Sequence, residues 1–239
     1  MVGALLNKLT MENFDSVSDK IIAWANKSEA EKDGQTLIHV IKLIFDTATD
    51  QAAWSEMYAQ LCKKMMEKIS PAIQDESTQN AEGKPISGGL LFRRYLLNRC
   101  QENFERGWAS DNPAVGKAGQ TSGEPAQFSD EYYAAQQAKR QGLGLIRFIG
   151  EMYKVQMLTG SIVHGCIRKL LGEVGDPEPK EEEIESLCRL LTTVGKLLET
   201  PQARARMDVY FARVKELSES SLVAVRIKCI LQVSSAARA

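Results

Sequence analysis

The chain has 239 residues, with 30 Lys and Arg against 31 Asp and Glu, and its net charge of −1 excludes a dedicated nucleic-acid coat while leaving room for a local basic face. The 44% hydrophobic and 26% charged fractions are those of an ordinary globular chain. No stretch approaches the ~20 uncharged apolar residues that span a bilayer, and Met1 to Leu9 lacks the pattern of a signal peptide. The expectation is a protein of the cytosol or nucleus with no membrane partner.

Helical periodicity dominates, and it predicts helices over 11–26, 35–49, 52–69, 88–105, 129–157, 159–172, 180–199, 201–218 and 220–232. Thr10 is a candidate N-cap for the first. Leu37 to Phe45 is apolar almost all round, as in a helix covered on several sides. His39, inside that run, is expected to be a hydrogen-bonded core residue. Residues 70–89, with Pro71, Gly83 and Pro85 among polar neighbours, read as a mobile loop, and so do 108–127.

Ser129 is placed to cap the long fifth helix, in which Gly142 and Gly144 allow a break. Ile162, Val163, Cys166, Ile167, Leu170 and Leu171 form the stripe of the next. His164 lies about 200° round from Ile162 at 100° per residue, so it is expected to face solvent. An acidic loop over 173–183 leads to the stripe Ile184, Leu187, Cys188, Leu191, Val194 and Leu198. Thr159 and Thr200 are further candidate caps, and Pro201 suits a first helical position. With the fifth helix broken there are ten helices in 239 residues, about 48 residues per pair, close to the ~40–47 of HEAT-type repeats. A stack of antiparallel helix pairs is the predicted architecture.

Chemistry is sparse. Cys62, Cys100, Cys166, Cys188 and Cys229 are scattered, odd in number and free of any CxxC, and they read as buried structural thiols in a reducing compartment. No metal-ligand spacing, phosphate loop or nucleophile elbow is present. Gly142-Leu143-Gly144 follows no strand pattern and reads as close helix packing. Glu181-Glu182-Glu183 suits the acidic first turn of a helix. The expectation is no catalytic residue, no metal and no cofactor. What remains is basic surface. Lys139, Arg140, Arg147, Lys154, Arg168 and Lys169 stand against Glu151 alone over 139–169, and Arg93, Arg94 and Arg99 form a second group. Such a face attracts phosphates without reading sequence; the competing reading is solvated charge on exposed helix faces.

Several blocks, in order, resemble one family. Leu5-Leu6-Asn7-Lys8-Leu9-Thr10 with Phe14 opens the series, and Leu43-Ile44-Phe45, Trp54 and Met57-Tyr58-Ala59-Gln60-Leu61-Cys62 continue it. Tyr95 to Gln101, Tyr132-Tyr133, Lys139 to Gly150, Met157-Leu158-Thr159-Gly160 and Leu190 to Lys196 follow. Together they resemble the middle domain of eukaryotic translation initiation factor 4 gamma, in its fungal rather than animal form. The last helix departs from the family pattern, since Val223 to Lys228 is followed by Ser234-Ser235-Ala236-Ala237-Arg238-Ala239.

The resemblance implies an all-α solenoid of about five antiparallel HEAT-like pairs forming a crescent, one domain over 1–239. It implies a non-catalytic cytoplasmic scaffold that binds both lobes of the DEAD-box RNA helicase initiation factor 4A and stimulates it. mRNA, through Lys139, Arg140 and Arg147, and other initiation factors are further implied partners. Leu6, Leu9, Phe14, Phe45 and Trp54 match the family's helicase-binding motif; an interior position is the competing reading, because leucines at i and i+3 are more often core than interface. The alternative function is an RNA- or ribonucleoprotein-binding adaptor of an mRNA decay, cap-binding or splicing complex of the same fold.

Overall fold

The computed structural model describes residues 1–109, 130–172, 179–220 and 223–236. They group into two compact units, Met1–Leu145 and Ile146–Ala239, divided within one long helix. Among the described residues there are ten α-helices and one small hairpin, so the chain is all-α with HEAT-like helix pairs, as its periodicity implies.

The first unit comprises α1 (Val2–Leu6), α2 (Phe14–Ala25), α3 (Gln35–Asp50), α4 (Ser55–Lys68), the hairpin β1 (Gln74–Gln79) with β2 (Pro85–Ser87), α5 (Gly88–Ala109) and the start of α6 (Asp130–Lys154). Helix α3 packs against α1, α2, α4 and α5. Leu37, Ile41 and Ile44 of α3 are fully buried, as are Tyr58, Leu61 and Met65 of α4 and Leu91 and Phe92 of α5. Each such side chain contributes about 1.5–3 kcal/mol by leaving water. Glu31 accepts from Ser28 Oγ (2.7 Å), from Thr36 N (2.8 Å) and from Thr36 Oγ1, tying down the first turn of α3. Thr10 N donates to Asn13 Oδ1 (2.8 Å) and Asn13 N to Thr10 Oγ1 (3.4 Å), closing a turn ahead of the helix, so α2 starts at Phe14 rather than at residue 11, with Asn13 and not Thr10 at its N-cap.

Residues 70–89 pack more than their polarity suggests. The strands pair antiparallel, Gln74 opposite Ser87. Ile73 is fully buried, and Asp75 is buried with its carboxylate accepting from Tyr95 Oη (2.6 Å), Thr78 Oγ1 (2.6 Å) and Ser77 Oγ (2.7 Å). One carboxylate thus collects three hydroxyls and fastens the hairpin to α5. Burial works against its charge, but the bonds from Thr78, Tyr95 and Ser77 outweigh it and hold the carboxyl far below the usual range. Of the second expected loop, 110–127 lies outside the described residues, as do Ser129 and 173–178 of the acidic loop.

The second unit continues α6 and adds α7 (Gly160–Leu171), α8 (Glu181–Leu198), α9 (Arg204–Glu219) and α10 (Val225–Ala236). Helix α8 packs against α7 and α10, and α9 against α7 and α10. Helix α6 runs unbroken through Gly142 and Gly144 and ends where Gln156 takes φ 63°, with Met157 N donating to Met152 O (2.9 Å). Glu183 accepts from Lys180 N (2.7 Å) and closes the start of α8. Thr200 Oγ1 accepts from Ala203 N (3.3 Å), so 201–203 form a turn and α9 starts three residues later than expected.

Both histidine expectations are overturned. His39 is exposed and His164 is buried, 6% accessible. His39 lies on one side of α3 with Lys42 and Asp46, about 170° from the centre of the arc marked by Val40, Leu37 and Phe45. His164 lies about 200° from Ile162, but Ile162 is the exposed edge of its helix at 39%. Measured from the centre of the buried arc it is only about 80° away, beside Leu171. The error was one of reference residue. Cys62, Cys100, Cys166 and Cys188 are buried as expected, and burial pushes the Cys166 thiol up to about 12; Cys229, by contrast, is exposed.

Candidate functional site

The five motif residues separate by burial. Leu6 (1% accessible), Leu9 (6%) and Phe45 (3%) occupy the interior position that their spacing left open. Helix α1 ends at Leu6, and Leu9 N donates to Leu6 O (3.1 Å), so the chain turns and sends Leu9 inward with Leu6. Phe45 is capped by the Arg99 guanidinium, 5.4 Å from the ring centre, which also reaches Asp46 (3.3 Å). Phe14 is half-buried at the first position of α2. Lys64 Nζ lies 5.7 Å from its ring centre and contacts Asp15 (2.9 Å) and Asp19 (2.8 Å).

Trp54 differs from these. It closes the short turn Ala52–Trp54, its N donating to Gln51 O (2.9 Å), and stands as the cap of α4 with 52% of its surface in water. An indole left in water beside a well-packed helix start is the kind of rigid anchor that dominates protein interfaces.

The basic residues also separate. Arg140 is paired with Asp50. Arg147, seven residues further along α6, is half-buried and has no ion-pair partner among the described residues. Lys139 lies in α6, with its side chain outside what the structure describes. Lys154 contacts Glu151 (2.7 Å), Arg94 donates to Gln79 O (3.4 Å), and Arg168 and Lys169 are exposed.

Sequence reasoning missed the first turn of α9. Arg204 and Arg206 are exposed there, the turn has no acidic residue, and neither arginine has an ion-pair partner among the described residues. The two arginines, one residue apart, were legible as a signal, because positive charge opposes the dipole at a helix start. Arg206 stands four residues before Tyr210, and Arg168 four after His164. The two rings meet at 5.8 Å and 44°, and Tyr210 Oη donates to His164 O (3.4 Å). His164 Nδ1 is buried without a hydrogen-bond partner. Burial first, then the charges of Arg206 and Arg168, hold the imidazole below its ordinary value and favour the neutral ring.

Among the described residues no group of three His, Cys, Asp or Glu is placed to hold a metal ion, and no helix is long and apolar enough to cross a membrane. One open concavity of about 470 Å³ is lined by residues including Trp24, His39 and Leu43.

The model of the MIF4G domain family matches residues 1–239. The chain is 51% identical over 231 residues to eukaryotic translation initiation factor 4 gamma of Schizosaccharomyces pombe, covering 96% of this chain and 16% of that protein. It is 44% identical over 234 residues to the eukaryotic initiation factor 4F subunit p130 of Saccharomyces cerevisiae, covering 94% of this chain and 25% of that protein. The chain thus spans a quarter or less of the length of these relatives. In fold it is similar to the crystal structure of the MIF4G domain of Trypanosoma cruzi translation initiation factor EIF4G5, with a TM-score of 0.57, 16% identity, and coverage of 98% and 92% of the two chains. Matched over its whole length, the chain belongs to the MIF4G domain family.

Proposed function

We propose that this chain is a non-catalytic scaffold in cap-dependent translation initiation in the cytoplasm, which binds both lobes of the DEAD-box helicase initiation factor 4A. The names of the fungal relatives support the process. The exposed indole of Trp54 is the observation that carries the docking role, with Phe14 as a second contact for the helicase's C-terminal lobe. Leu6, Leu9 and Phe45 act from beneath, by fixing the helices that present this surface.

A scaffold held to both lobes raises their effective concentration for each other without chemistry of its own. It stimulates turnover only as far as it binds the productive arrangement better than the open one. Other initiation factors are further partners in this reading. mRNA contact through α6 falls mainly to Arg147, since Arg140 is engaged by Asp50.

The test is the ATPase rate of a purified 4A-type helicase with and without the chain, beside a pull-down at moderate salt in the absence of RNA. Stimulation and retention, both lost on Trp54→Ala, are expected. Retention only when RNA is present would favour a ribonucleoprotein adaptor of the same fold and overturn the helicase scaffold.

A further inference from the structure

One ammonium ties the start of α2 to α4. Lys64 Nζ donates to Asp19 Oδ1 (2.8 Å), Asp15 Oδ1 (2.9 Å) and Ser18 Oγ (2.9 Å), so each of its three N–H bonds has an acceptor. The bond to Asp19 outweighs burial and, with Asp15, holds the ammonium above its ordinary value. The lysine side chain is only 19% exposed, whereas Asp15 and Asp19 stand largely in water. Ion pairs with such exposed partners contribute little to folding. What this one does impose is geometry. The same ammonium lies 5.7 Å from the centre of the Phe14 ring, and Asp15, Ser18 and Asp19 occupy the turns that begin at Phe14. Further along, Ser70 N donates to Asn26 Oδ1 (3.0 Å), so the two helices run parallel and are tied at both places. Phe14 and Trp54 therefore share one end of this pair, about one to two turns apart along its axis.

We propose that Lys64 is a positioning residue for helicase docking, which fixes Phe14 on α2 relative to Trp54 on α4. This rests on the docking role given to Phe14 and Trp54 above. A rigid partner lobe meets two anchors at once only when their spacing is set, and ordering a loose anchor during binding costs affinity. The ammonium holds the first turns of α2, where a helix otherwise frays, against the middle of α4. It also offsets Asp15 and Asp19. Without it, a partner that covers the Phe14 ring would desolvate uncompensated carboxylates beside it.

The experiment titrates a purified 4A-type helicase with the whole chain and reads both affinity and stimulated ATPase rate. Lys64→Met keeps an unbranched stem and removes the charge. It should weaken binding about tenfold, a coupling of the size found between residues in contact. The chain concentration for half-maximal stimulation should rise by the same factor, while the rate at saturation holds. Lys64→Arg can still reach both carboxylates and should recover most of the affinity. Asp15→Ala/Asp19→Ala opens the clamp from its exposed side, so binding should weaken similarly while the melting curve matches that of the unaltered chain. In a Phe14→Ala chain, Lys64→Met should weaken binding no further, because the ring it positions is gone.

Normal affinity in the aspartate double variant overturns the assignment, whatever Lys64→Met does to folding. So does a Lys64→Met effect that persists undiminished in the Phe14→Ala chain, which would make Lys64 a general support of the fold. A lowered rate at saturation with an unmoved half-maximal concentration overturns it as well. If Phe14→Ala and Trp54→Ala each lose binding while Lys64→Met keeps it, the docking reading stands and the positioning role falls. If Phe14→Ala and Trp54→Ala both bind normally, the docking reading itself falls and takes this role with it.

Discussion

A Cβ on Gly144 would stand 1.9 Å from the carbonyl oxygen of Thr49, so α6 and α3 meet here backbone to backbone. The close packing expected for this glycine pair holds at Gly144 alone, because Gly142 faces open space. Gly144→Ala should therefore cost about 1–3 kcal/mol or more from overpacking, against a helix-propensity gain of at most ~1. Gly142→Ala keeps only that gain and should stabilise by up to about 1 kcal/mol. Thermal melts of the two variants should move in opposite directions, by a few degrees per kcal/mol at this size.

Trp54 and Leu9 should separate binding from folding. Trp54→Ala removes a side chain already half in water, so the melting temperature should hardly change, while helicase affinity falls by about 2 kcal/mol or more, roughly 30-fold. Leu9→Ala empties a core position and should cost about 2–5 kcal/mol of stability. Melting curves beside a titration with helicase check both. A Trp54→Ala chain that binds normally removes the docking assignment.

The Asp75 anchor predicts a local response. Tyr95→Phe deletes a hydroxyl bonded to a buried carboxylate, worth about 1.5–3 kcal/mol, and the hairpin should open about 10- to 150-fold more often. Limited proteolysis should then cut faster within 74–87 while the helices keep their far-ultraviolet circular dichroism. Because the folded carboxyl is held well below its unfolded value, its contribution is present above about pH 4 and lost as pH falls further. Cleavage by an acid-active protease should show that loss between pH 4 and 2.

His164 predicts the opposite end of the scale. Its folded value is depressed, so the neutral ring is preferred in the native state. That stability is complete above the unfolded value near 6.5 and declines as pH falls through it, by at most ~1.4 kcal/mol per pH unit. Melting temperature measured from pH 7.5 to 5 should drop, and His164→Phe, which keeps an aromatic ring against Tyr210, should flatten that dependence.

The sequence alone determined where the helices lie. Apolar spacing near 3.6 and glycine- and proline-rich punctuation place nine of the ten helices among the described residues to within a few residues, from the Leu37–Phe45 run of α3 to the Ile184–Leu198 stripe of α8. It missed α1 because five residues are too few to show a period. Charge pattern likewise identified basic surface, since lysine and arginine rarely lie inside.

Tertiary structure decided which way each stripe faces and which charges are spent. Periodicity fixes angles between residues on one helix, and only the neighbouring helices fix the zero of that angle, so His39 and His164 exchanged places. Leu6 and Leu9 turned inward because α1 stops and the chain folds back, a matter of where α2 and α3 stand. Arg140 left the free basic face through Asp50, 90 residues earlier in the chain. Arg206 and Arg168 flank the His164–Tyr210 contact because α9 packs on α7, which spacing along either helix does not show. Pairing between distant residues is set by packing, and it is packing that gives Arg140 an acid while leaving Arg168 and Arg206 without one among the described residues.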